Sequence, residues 1–344
     1  MSGWPAGTAG RAPSAGDVSV VIRTFDPARW DDLQQAVASV RRQTVPPREV
    51  IVVVDHNPAL LALATDWLPG APGLPGVRVV QNGDARGASG GMNSGVAAAE
   101  GDVVAFLDDD AVAAPDWLEQ LLYPYRDSRV LGVGGWIEPG WTGRRPEWFP
   151  PEFSWVVGCT FPGGFDGPGP VRSLIGANMS FRREIFERMP GFRTGVGAVG
   201  QTLTKCEDTE FCIRVSRRWP QGLLLYRPQA MVVHRVSPER ATWRYFRARC
   251  FAEGMAKAQV SHLVGAERAL ASERSYATRV LPRGLCRNLG DALRRRDARG
   301  SLLRAGAIVA GLGLTTAGFV AGEARQPRAW PWQRLVPWRA PCAS

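Results

Sequence analysis

A chain of 344 residues, 45% hydrophobic and 22% charged, can bury a large core. That excludes a disordered or fibrous class and points to one large α/β unit or two closely joined parts. The net charge of +10, carried by arginine except at Lys205 and Lys257, permits an anionic partner such as a nucleotide, a lipid head group or a nucleic acid.

The six cysteines stand apart without a CxxC pair, so no zinc cluster or disulfide framework is implied, which fits a reducing cytoplasm. Residues 1–16 are rich in Gly, Ala and Pro and lack an apolar core, as a flexible leader does and a signal peptide does not. Val18 to Ile22 then reads as a strand, and Asp31 to Gln43 as a helix with Leu33, Val37 and Val40 on one face. A second strand, Val50 to Val54, precedes a helix from Pro58 to Leu68. A third, Val77 to Val80, precedes a helix from Gly90 to Glu100. Val103 to Leu107 closes the series and runs into Asp108, Asp109 and Asp110. This β-α alternation predicts a parallel sheet with right-handed crossovers.

Such sheets bind ligands at the carboxyl ends of their strands. There the first strand delivers Thr24 and Asp26, the second Asp55, and the fourth Asp108 and Asp110. Each alone is more often a turn residue, but their convergence favours a binding site. Side chains two apart share a face of an extended chain, so Asp108 and Asp110 together suit a hard cation such as Mg²⁺. No GxGxxG follows the first strand, and Gly87 to Gly91 lacks the Lys-Ser/Thr of a P-loop. That glycine run exposes amides to a phosphate or is simply a flexible loop; the sequence favours neither.

From Val18 to Asp110 these residues resemble the nucleotide-sugar-binding half of family 2 glycosyltransferases, which have the GT-A fold. The resemblance rests on Val20 to Phe25, Val52 to Asp55, Asn93 to Asp102 and the Asp-x-Asp-like Phe106 to Asp110. It implies that Thr24 and Asp55 contact the nucleotide, that Asn93 and Asp108 lie in the donor site, and that Asp110 binds Mg²⁺ or Mn²⁺. Members often read Ala-Arg-Asn where this chain has Gly91-Met92-Asn93, so Arg86 is the candidate for the missing cationic contact.

In the second half, Trp136 to Phe165 is dense in aromatics and is expected to form an acceptor-side wall, although packing suits most of these rings as well. On that reading Trp141 and Trp148 contact the acceptor. Gly176 to Phe181 resembles the family's strand beneath the donor sugar, with Gly176 and Ala177 allowing close approach. Cys206 to Arg214 opens with Glu207 and Asp208, as helix capping alone would favour. The stretch also resembles the family's Glu-Asp motif, which makes Asp208 the general base and Glu207 its neighbour or an acceptor ligand. His234, at the end of Ala230 to Val233, matches a histidine that the family often places on the metal.

The chain thus divides into a leader (1–16), a GT-A domain (17–240, with halves 17–112 and 113–240), a basic helical region (241–325) and a Trp/Arg/Pro-rich tail (326–344). Ala305 to Gly322 is free of charge and would reach about 27 Å at ~1.5 Å per residue, so it spans a bilayer, lies on it or packs as a buried helix. With the Trp and Arg of the tail, it suggests peripheral binding to the inner membrane face. The expected activity is inverting, metal-dependent transfer from a nucleotide-sugar to a hydroxyl of a lipid-linked sugar, a glycan or a small molecule. The rivals are a sugar-nucleotide nucleotidyltransferase, which lacks its triphosphate loop here, and a nucleic-acid-binding protein, for which no signature is present.

Overall fold

Strands that are apolar on both faces need a layer on each side, and the first half of the chain is built that way. The computed structural model describes residues 16–68, 75–164, 167–195, 206–264 and 271–325. Nearly all of the expected leader, the whole tail and Phe165 lie outside them. Strands β1 (Val18–Thr24), β2 (Glu49–Val54), β3 (Val77–Gln81) and β4 (Val103–Asp108) pair in parallel in the order β3-β2-β1-β4. Their alternating residues divide between two cores. Val20, Ile22, Val50 and Val52 pack with Leu33 and Val37 of α1 (Trp30–Arg41) and Leu60 of α2 (Pro58–Trp67). Val21, Ile51, Val53 and Phe106 pack with Met92 of α3 (Ala88–Ala98) on the other side.

Local signals set the helix starts. Asn57 accepts a hydrogen bond from the Leu60 amide at 3.1 Å, and Pro58 takes the first helical position. The glycines of α3 serve close packing. A Cβ at Gly91 would lie 2.6 Å from Arg23 Cδ, and one at Gly95 would lie 2.3 Å from Val21 Cγ1.

Beyond β4 the sheet becomes mixed. A short strand β5 (Ala111–Ala113) leads through α4 (Trp117–Leu122) to the long β6 (Val130–Trp141). After a two-residue β7 (Gly169–Pro170), strand β8 (Asn178–Arg182) inserts antiparallel between β4 and β6 and leads into α5 (Arg183–Arg188). Helix α6 (Glu207–Arg218) and strand β9 (Leu223–Val236) follow, and β9 pairs with β5, β6 and β7. Buried Asn178 holds this half together. It accepts from Trp117 Nε1 at 2.8 Å and donates to the Trp136 and Ala230 carbonyls at 3.0 and 2.8 Å. At the irregularity between β6 and β9, a Cβ on Gly135 would sit 1.7 Å from the Ala230 oxygen, so only glycine fits.

Among the described residues, the α-helices α7 (Trp243–Val264), α8 (Ala271–Ser275), α9 (Leu281–Leu293) and α10 (Ala298–Arg325) cover one flank, with a π-helical turn (Tyr276–Val280) joining α8 to α9. Here the expectation for Trp141 and Trp148 needs correcting. Trp141 packs on Phe149, and Trp148 lies 5.0 Å from Trp243 and 5.4 Å from Phe246 between ring centres, which pins α7 to the sheet. Neither ring borders the central cavity, because edge-to-face packing between rings satisfies them first. Trp148→Ala is therefore expected to cost ~3 kcal/mol of stability, read as a lower thermal midpoint, without a selective loss of acceptor binding.

Candidate active site

The sheet register brings Asp110 and His234 together. β5 runs antiparallel to β9 with Ala111 opposite His234, and the Arg235 amide donates to the Asp110 carbonyl at 2.8 Å. His234 Nε2 then stands 3.1 Å from Asp110 Oδ1 and 3.7 Å from Asp108 Oδ2. Arg29 reaches Asp109 at 2.9 Å and Asp110 at 3.2 Å, and Arg240 approaches Asp110 at 3.4 Å. Burial opposes charge on both Asp110 and His234, but their attraction wins. Asp110 is held well below the usual carboxylate range by His234, Arg29 and Arg240, and His234 well above the usual imidazole range by Asp110 and Asp108.

One potential ligand atom from each of Asp108, Asp110 and His234 lies within 4.8 Å of the others. Asp110 Oδ1 is buried without a hydrogen bond of good geometry. Two carboxylates and an imidazole so arranged fit a divalent cation, which would displace the imidazole proton.

A cavity of about 850 Å³ lies beside this cluster. Arg23, Asp108 and His234 border it on the sheet side, and Gly176, Ala177, Glu207 and Asp208 face it from the second half. Asp208 stands in the first turn of α6, whose acidic start and Arg217-Arg218 end both suit the helix dipole. Its Oδ2 accepts from the Gly176 amide at 3.0 Å, and its Oδ1 accepts from the Thr209 amide at 2.6 Å. Burial raises the Asp208 pKa despite these bonds and nearby Lys257. At the far end, Phe153, Phe161, Tyr276 and Phe319 give an apolar wall. Arg172, Glu273, Lys257, Glu253 and Arg249 also border the cavity and form a chain of ion pairs, with Lys257 2.7 Å from Glu273 and Arg249 2.8 Å from Glu253.

Residues 19–189 match the family model for glycosyl transferase family 2. Over 241 residues, 70% of this chain and 76% of the relative, the sequence is 34% identical to a glucosyl-dolichyl phosphate glucuronosyltransferase of Haloferax volcanii. The chain belongs to glycosyl transferase family 2. Membership makes it a glycosyltransferase and sets aside the nucleotidyltransferase and nucleic-acid-binding readings. The fold is GT-A. It resembles a mannosyltransferase of Pyrobaculum calidifontis solved with GDP-Man and Mn²⁺ (TM-score 0.55, 19% identity, 91% of both chains). It also resembles GalNAc-T7 solved with UDP, GalNAc and Mn²⁺ (TM-score 0.50, 17% identity, 79% of this chain and 57% of that one).

Not every residue singled out in the sequence of this glycosyltransferase reaches the cavity. Thr24, Asp55, Arg86 and Asn93 do not line it. Thr24 and Asp55 do meet at the carboxyl edge of β1 and β2, where the Asp55 amide donates to the Thr24 carbonyl at 2.8 Å. The Asp55 carboxylate accepts from Asn82 at 2.6 Å and from the Gly87 amide at 2.9 Å. Asn93 staples α3 to Phe192, donating to its carbonyl at 2.9 Å and accepting from its amide at 2.8 Å. Arg86 is exposed on the loop before α3. On the sheet side a cation does border the cavity, Arg23, which lies in register with Asp108 across β1 and β4. Its signal was a charged residue near the end of an otherwise apolar strand. Arg29 and Arg240 carried no signal, since only tertiary contact places them on Asp110.

Proposed function

We propose that this enzyme transfers a sugar from a nucleotide-sugar to an acceptor hydroxyl with inversion, using a divalent cation. The single observation that carries the reading is the shared cavity, with Asp108 and His234 on one wall and Asp208 on another. The donor's nucleoside lies over the β1–β2 edge near Thr24 and Asp55, and its sugar over Gly176 and Ala177. Arg23 takes the cationic contact for which Arg86 was the sequence candidate. Asp108, Asp110 and His234 would hold Mg²⁺ or Mn²⁺, which when bound offsets the charge of the leaving nucleoside diphosphate. The Asp208 carboxylate takes the acceptor O–H proton as the oxygen attacks the anomeric carbon, and the electron pair of the breaking C–O bond leaves with the diphosphate. A single displacement needs one base and no covalent intermediate. Glu207 borders the same cavity and orients the acceptor.

The name of the Haloferax relative supports a lipid-linked sugar as acceptor. The apolar far wall suits a chain of that kind, with the protein working at the inner face of the membrane. A screen of UDP-, GDP- and dTDP-sugars with Mg²⁺, Mn²⁺ or chelator tests the reading. Release of a nucleoside diphosphate that chelator abolishes supports it, whereas transfer at full rate in chelator would remove the metal from the scheme.

A further inference from the structure

Helix α10 has two unlike faces. Its inner face is locked to α7, where a Cβ on Gly318 would lie 2.0 Å from the Phe251 carbonyl oxygen and one on Gly322 would lie 2.7 Å from Ala258 Cβ. Leu312, Thr315, Thr316 and Phe319 border the catalytic cavity. The outer face shows Leu302, Val309 and Val320 at 56%, 59% and 62% exposure. Between Leu302 and Gly322 no exposed residue is charged, because Arg304 turns inward to Asn288 and Asp297. That face runs for about 30 Å at ~1.5 Å per residue. A helix resting on water carries a polar outer face, and an uncharged one of this length marks an interaction surface.

Two observations identify what covers it. Exposed Arg294, Arg295, Arg296 and Arg299 cluster where the helix begins, beside Leu293 at 86% exposure, and this pairing of cations with apolar side chains complements an anionic lipid surface. The outer face is also continuous with the cavity rim through Leu312 and Thr316. Spanning is ruled out by the inner face. Crossing the bilayer would carry α7, with Arg249, Glu253 and Lys257, into hydrocarbon. We propose that α10 lies flat in the head-group region of an anionic bilayer, still packed on α7, so that the cavity mouth opens at the lipid surface. This anchoring does not depend on the identity of the donor or acceptor.

The test is flotation of the full-length protein with phosphatidylcholine vesicles made with and without phosphatidylglycerol. The protein is expected to float with the anionic vesicles, less so at high salt. A Leu302→Glu/Val309→Glu/Val320→Glu variant with an unchanged thermal midpoint is expected to lose at least ~10-fold in partition. Failure of the parent to float, or equal flotation of the variant, overturns the proposal. Should that variant not fold, a fluorophore on Val309→Cys, with Cys286 and Cys342 changed to serine, still decides. Quenching strongest by lipids brominated near the head group supports the flat anchor, and quenching strongest from the bilayer centre, or none, overturns it.

Discussion

Asp208→Asn is expected to lower turnover by about 10²–10⁴-fold while leaving nucleotide-sugar affinity nearly unchanged. Asparagine keeps an oxygen for the Gly176 amide, so the entry to β8 stays in place, but it cannot accept a proton. Single-turnover transfer measured beside donor titration separates the two effects. A parallel loss of donor affinity would instead mean that Asp208 positions the donor. The pH profile offers a second readout. The base works ionised, and burial raises its pKa, so activity should fall on the acid side at a pH above the ordinary aspartate range. That limb should vanish in the slow asparagine variant.

Asp110→Asn and His234→Ala are each expected to weaken cation-dependent donor binding by at least ~10²-fold, by analogy with the 10–100-fold cost of losing an outer partner of a metal site. Titration of donor with Mn²⁺ and with chelator measures it, and both variants should resemble the parent in chelator. Asparagine is the better probe at position 110, because it keeps an oxygen facing Arg29 and Arg240, whereas alanine would remove that contact from both and leave Arg29 only Asp109. Unaltered Mn²⁺ dependence in either variant would assign the cation to other ligands.

Much of the first half was legible because strand and helix periods are local. The apolar runs became β1 to β4 within a residue or two of their expected bounds, and the carboxyl-edge residues stood where a parallel sheet must put them. Asp208 and His234 were legible through motif resemblance, and both border the cavity. What stayed hidden depends on contacts between distant segments. The Arg29 and Arg240 clamp joins segments far apart in the chain, and the ion-pair chain through Lys257 and the packing of Trp148 on Phe246 follow from how the late helices seat on the sheet. The register of β6 on β9 shifts twice, so their partnership cannot be read from the alternation of either strand alone.

The pairing of Ala111 with His234 has a consequence for biosynthesis. In the order of the sheet β9 and β5 stand seventh and eighth, and they become neighbours only after the intervening hundred-odd residues have been made. No polypeptide still short of His234 can close the cation cluster, however well its amino-terminal layers have set. On the proposed cation-dependent reading the nascent enzyme is chemically silent until this strand docks, and a one-residue slip of it would turn the imidazole to the opposite side and leave it silent.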